Sequence, residues 1–254
     1  MGWELYDALI DGIPEGIAVK DFCKGVSWSY VEAECGLGIA KTVQDGARAQ
    51  LYTGNYLNLD LKSLAALAKS WRFSEASLGV AAMNAWYTQP DKLAALGADV
   101  DGGESYAGRN QNPFDSMEER YTGKKIAVIG HFPGMATMDR VGHLTVLERN
   151  CRNDNDVPDS ACEYILPDQD FVFLTGTTLT NKTMPRLLEL SRSACTVVAG
   201  PSSLPAWPVV EAGADIVAGS VVTDAQAAKY AVRGGSKQQW RAGIKKFVWE
   251  PVRG

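Results

Sequence analysis

The sequence predicts an α/β protein: a C-terminal Rossmann-like, doubly wound parallel sheet preceded by a smaller α+β domain. Three observations predict it. From residue 124 onward, short runs that are apolar throughout alternate with helical stretches, the pattern of parallel strands buried on both faces. Right-handed crossovers wind such a pattern into a doubly wound sheet. Residues 3–87 instead read as helix, hairpin and two further helices, an α+β succession. Between them lies a polar, glycine-rich stretch, 97–112, without periodicity, which reads as a linker or an ordered functional loop. The expected divisions are 1–96, a linker at 97–122, and 123–254.

The first helix spans 3–13, where Leu5, Ala8, Leu9 and Ile13 recur at helical spacing and Pro14 and Gly16 stop it. Runs 17–22 and 26–34 are rich in β-branched and aromatic residues and form a hairpin around Lys24-Gly25. The second run ends in CGLGIAKT, where Gly36 and Gly38 mark a backbone that bends sharply or approaches something closely. Asp60 is the N-cap expected for a helix carrying Leu61, Leu64, Ala65, Leu67 and Ala68 on one face. Another helix runs over 74–87, with Glu75 adding charge to its first turn and Pro90 ending it. Asn84 interrupts its apolar stretch, and a buried amide there needs a partner. Strands follow at 124–130, 144–148, 170–176, 195–200 and 214–219, with helices at 184–193, 208–212 and 224–232.

In such a sheet ligands bind outside the carboxyl ends of the strands. The loops there are GHFPGMATM, ERN, TGTTLTNKT, GPSSLP and GSVVTD. Most open with Gly and continue with Ser, Thr or Asn, groups that present backbone N–H and hydroxyls to a polar ligand. TGTTLTNKT is the most specific: Thr175, Thr177, Thr178, Thr180, Asn181 and Thr183 crowd around Gly176 and Leu179, whereas helix capping explains one or two of them. GHFPGM is not a dinucleotide fingerprint, and Pro133 removes a backbone N–H. Glu148 stands where an acidic residue meets a ribose, or is a solvated residue at a strand end. Ser202 is an anion or hydroxyl contact, or simple turn chemistry.

Imidazole and thiolate suit zinc or copper, and His131, Glu148, Cys151 and Cys162 follow the first two strands of this half, without the short spacing of a strong metal motif. His131 is expected to face a ligand and His143 to be structural. No G-x-S-x-G elbow occurs, so no serine triad is assigned. The chain has 254 residues, 46% apolar and 22% charged, with net charge −5. That balance argues against a nucleic-acid surface, and no run reaches a membrane span. Five widely spaced cysteines and an acidic N-terminus without a signal pattern suit a cytoplasmic protein with reduced thiols.

TGTTLTNKT, GPSSLP and the 213–222 stretch resemble a bacterial and archaeal family of unknown function labelled "putative heavy-metal chelation". The resemblance covers the whole chain: a second domain from about Lys124 and, up to Trp86, a companion domain similar in fold to the enolase N-terminal domain. It implies a site in the cleft between the domains. The matching positions are Gly130, His131 and Glu148, then Thr175, Gly176, Thr177, Thr178, Asn181 and Thr183, then Gly200, Pro201 and Ser202. Gly36, Gly38 and Asn84 face that cleft from the first domain. One expected function is capture of a small ligand, either a heavy-metal ion or a metal-bearing small molecule, with His131, Glu148 and Cys151 as metal ligands. Another is an enzyme using a nucleotide-like cofactor or a phosphorylated substrate. A structural role would dock a partner, or a second copy in a homo-oligomer, through the 97–112 loop and the 240–249 tail.

Overall fold

Helix α1 (Glu4–Asp11) turns Leu5, Tyr6, Leu9 and Ile10 inward, the stripe that a short amphipathic helix buries. It opens a computed structural model that describes residues 2–44, 48–100, 113–133 and 135–252, so most of the predicted polar loop, 101–112, and Gly134 lie outside the described residues. Three strands follow, β1 (Val19–Lys24), β2 (Trp28–Ala33) and β3 (Gly36–Lys41), paired antiparallel in that order. The third strand replaces the expected bend at Gly36 and Gly38. Asp60 caps α2 (Leu61–Ala65) as expected, accepting from the Ser63 N–H at 2.9 Å. Helix α3 (Phe73–Tyr87) is buried from Glu75 through Ala85. It stops at Tyr87 as expected, with Gln89 extended before Pro90, which itself opens α4 (Pro90–Ala95), where its missing N–H costs nothing.

The glycines of β3 exist for α3. A Cβ at Gly38 would stand 2.1 Å from the Ala85 nitrogen and 2.2 Å from the Ala81 oxygen, and one at Gly36 would press the Ala85 carbonyl at 3.3 Å. Both therefore face the helix rather than a ligand, which corrects the expected cleft role. The other face of the small sheet, with Tyr30, Leu37 and Ile39, packs on Ala228, Val232 and Ile244 near the chain's end.

The large sheet has eight strands. They are β4 (Asp99–Val100), β5 (Lys125–Ile129), β6 (His143–Glu148), β7 (Val157–Pro158), β8 (Phe171–Thr175), β9 (Cys195–Ala199), β10 (Ile216–Val222) and β11 (Ile244–Trp249). Their spatial order is β4-β11-β10-β9-β8-β5-β6-β7; β10 through β7 run parallel, and β11 and β4 pair antiparallel. Helices α5 (Pro113–Ser116), α6 (Glu118–Tyr121) and α7 (Ala136–Val141) cover one face, where Phe114, Met117, Tyr121 and Met138 meet Ile126, Val128 and Phe173. The opposite face, with Ala127, Leu174, Val198 and Val217, shares one core with α1, α2 and α3. It also receives α8 (Cys162–Ile165), α9 (Thr177–Thr180), α10 (Met184–Leu190) and α11 (Trp207–Glu211). Helices α12 (Ala225–Val232) and α13 (Lys237–Gly243) lead into β11.

Two expectations change here. The 240–249 tail is not an exposed docking surface: Phe247 and Trp249 are buried and β11 pairs along β10. The described parts of the 97–122 linker carry β4, α5 and α6, and these contribute to the sheet and its core. Among the described residues no helix is long and apolar enough to cross a membrane.

Candidate functional site

β5 and β8 are neighbours, yet the chain leaves β5 toward β6 on one side and β8 toward β9 on the other. That reversal parts the loops at the strand ends and opens a crevice. A hollow of about 590 Å³ lies there. Gly130 ends β5 at φ +94° and Gly200 ends β9 at φ +104°, left-handed turns that glycine alone adopts without strain. Gly176 lets the turn after β8 lie against the Ser202–Ser203 backbone, 2.5 Å from where its Cβ would stand.

Gly130, His131, Glu148, Thr175, Thr177, Thr178, Asn181, Thr183, Gly200, Pro201 and Ser202 all line this hollow. The threonine turn serves itself more than the sequence implied. Thr178 Oγ1 donates to the Thr175 carbonyl at 2.7 Å, and the Thr175 and Thr177 hydroxyls are 3.1 Å apart. Asn181 Oδ1 accepts from the Thr183 hydroxyl at 2.6 Å, and Thr180 is wholly buried. Local turn chemistry thus engages most of the set, and α9 forms inside it.

Asn84 stands behind the hollow, wholly buried. Its Nδ2 donates to the carbonyls of Ile39 at 3.0 Å and Pro201 at 3.3 Å, so the expected partner is the turn after β9. Ser202 Oγ accepts from the Lys41 backbone N–H at 2.8 Å. These bonds fasten β3 and α3 to the rim of the large sheet.

Sequence reading missed Asp156, Trp28, Lys41 and Arg152, and carried Arg149 only within the ERN loop. His131 Nε2 is hydrogen-bonded to Asp156 Oδ2 at 2.9 Å, and that oxygen also accepts from the backbone N–H groups of Arg152 at 2.6 Å and Asn153 at 3.1 Å. The Arg152 N–H first, then His131, hold the Asp156 carboxyl down to about 2. The only advance signal was the RNDND run, a composition typical of turns. Lys41, ending β3, holds its Nζ 5.0 Å from the centre of the Trp28 ring. Burial first, and the charge of Arg152 second, keep it below the ordinary lysine range. Arg149 pairs with Asp159 at 2.9 Å, and Arg152 stands 3.7 Å from Glu148. Glu148, expected at a ribose, therefore faces a guanidinium.

A family model described as "putative heavy-metal chelation" matches residues 112–249, and a second model with the same description matches residues 6–87. The chain belongs to this family. An uncharacterized protein of Methanocaldococcus jannaschii is 30% identical over 200 residues, covering 74% of this chain and 72% of that one. A crystal structure of a protein of unknown function from the DUF364 family, from Desulfitobacterium hafniense, superposes with a TM-score of 0.87 at 34% identity, covering 98% of each chain. A further family member, from Pyrococcus horikoshii, superposes at 0.76 with 24% identity, over 97% of this chain and 98% of that one, a likeness of fold.

The family's description prompts a test of the donors. Among the described residues no three His, Cys, Asp or Glu side chains converge as a metal cluster. Cys151 is exposed, lies off the hollow and donates to the Glu148 carbonyl at 3.7 Å. His131 is engaged by Asp156, and burial pushes the Cys162 thiol up to about 11. The expected set of His131, Glu148 and Cys151 does not form a centre for a bare ion, because a metal needs deprotonated donors converging at bonding distance.

Proposed function

We propose that this protein binds a small anionic molecule in the hollow at the β5–β8 switch point. In this reading a heavy metal reaches it inside such an anion, as a chelate, and not as a free ion. The Lys41 ammonium carries the proposal. It is lodged in the wall of the hollow, its charged form is disfavoured by burial, and no carboxylate pairs with it among the described residues. An anion supplies what it lacks, and charge-assisted hydrogen bonds are roughly twice as strong as neutral ones. Thr175, Thr177 and Asn181 on the facing turn add polar contacts suited to a carboxylate or phosphate oxygen.

Calorimetry with citrate, ferric citrate and zinc chloride tests this. Citrate and ferric citrate should bind, zinc chloride should not, and Lys41→Met should weaken citrate by about tenfold or more, as loss of one charged contact does. Tight zinc binding indifferent to Lys41→Met would overturn the reading. The pH arm has a definite sign. Lys41 attracts an anion only while protonated, and burial holds its pKa below the ordinary lysine range. Above neutrality, where citrate is already fully ionised, its affinity should therefore fall on raising pH, earlier than an ordinary lysine would lose it, and Lys41→Met should flatten that profile.

A further inference from the structure

Beside the first hollow lies a second, of about 910 Å³, between the β1–β2 turn and the turn joining α12 to α13. Trp28, Pro133 and Pro201 line both, so the two adjoin across these residues. Its wall is aromatic: the Trp28 and Trp240 rings are 4.6 Å apart at 48°, and both are half-buried. Val26, at the hairpin tip, is 83% exposed and adds apolar surface to the same wall. The small sheet does not need Val26 for its own core, which is built from Tyr30, Val31, Leu37, Ile39 and Ala40.

Charge points the same way. Among the described residues, the two hollows together are lined by Lys41, Arg149, Arg152, Arg233, Lys237 and Arg241, against the acidic side chains Glu148 and Asp159. This excess of cations sits on a chain whose net charge is −5. Arg149 pairs with Asp159, Arg152 stands beside Glu148 and Arg233 donates to Asp21 at 2.9 Å, yet among the described residues the lining cations outnumber the lining carboxylates.

We infer that the anion bound at Lys41 carries a flat aromatic ring, and that this ring lies against Trp28 and Trp240 in the second hollow. The inference rests on the anion reading above and names the class of molecule: an aromatic anion long enough to pass the Trp28–Pro133–Pro201 sill. Stacking of a ring on an exposed aromatic side chain tolerates many ring types, and the flanking cations favour electron-rich faces and further negative charge.

The probes are inorganic phosphate and 1-naphthyl phosphate, read by calorimetry and by quenching of tryptophan fluorescence. The measured quantity is the ratio of the two affinities within each variant. In the natural chain naphthyl phosphate should bind at least about tenfold tighter and quench the emission. Trp240→Ala should reduce that ratio to about threefold or less. Val26→Glu, at the exposed tip, makes the same test without touching the core should Trp240→Ala fold poorly. A ratio near one in the natural chain, or one unmoved by both substitutions, overturns the ring site and leaves the anion reading intact. Binding of neither probe overturns both. A dimer in sedimentation that Val26→Glu dissociates would assign the surface to a second copy and overturn the ring site.

Discussion

A single hydrogen atom at position 38 sets how closely β3 lies on α3. Any side chain there meets helix backbone, which cannot swing aside as a flexible side chain does. Gly38→Ala should destabilise the protein by about 3 kcal/mol or more, at the upper end of overpacking costs, measured from urea unfolding midpoints. A change below about 1 kcal/mol would mean that strand and helix part easily. The sequence announced a close approach at Gly36 and Gly38 but not what approached, because the partner is some forty residues away and carries no mark beyond small side chains. His131 was legible for its place after a buried strand. Its partner Asp156 was not, since one aspartate in a polar run resembles its neighbours until the backbone turns two N–H groups toward it. Lys41 was hidden for a like reason: a lysine ending a strand reads as solvated, and only the packing of Trp28 and the second half of the chain buries it.

At the level of elements, local chemistry explains what was readable. Asp60 accepts from the Ser63 N–H at 2.9 Å and also from the Gly16 N–H at 2.8 Å, so it caps α2 and ties it to the segment after α1. Asp60→Ala should cost about 1–2 kcal/mol, and the thermal midpoint of the variant checks it. The longer parallel strands were legible because their runs are mostly apolar, whereas the two-residue β7 was not. β11 was not, since Lys245 and Lys246 interrupt it. β3 escaped because glycine disfavours strands, and α9 because four residues rich in threonine have weak helix propensity and form one turn through hydroxyl bonds such as Thr178 to Thr175.

For the molecule as a whole, composition and alternation disclosed an α/β fold with a mainly parallel sheet, but not the neighbour order. That order depends on pairings between distant segments, and it decides where the crevice opens. It also makes the C-terminus structural. Ending the chain at Gly243 would strip β11 from β10, remove Phe247 and Trp249 from the core and leave a long unpaired edge. Such a chain should aggregate or lose its near-ultraviolet circular dichroism, whereas a cooperative, monomeric unfolding transition would contradict the placement of β11.

The fastening of the turn after β9 has a kinetic meaning. Lys41 holds Ser202 through its own amide, and Asn84 holds Pro201 through its side chain, so the charged arm and the floor beneath it travel as one piece. On the proposed anion reading, such a hollow has little to assemble when its guest arrives. Capture should be governed by encounter, accelerated by the local surplus of positive charge and slowed by added salt, while departure alone sets how long the guest stays.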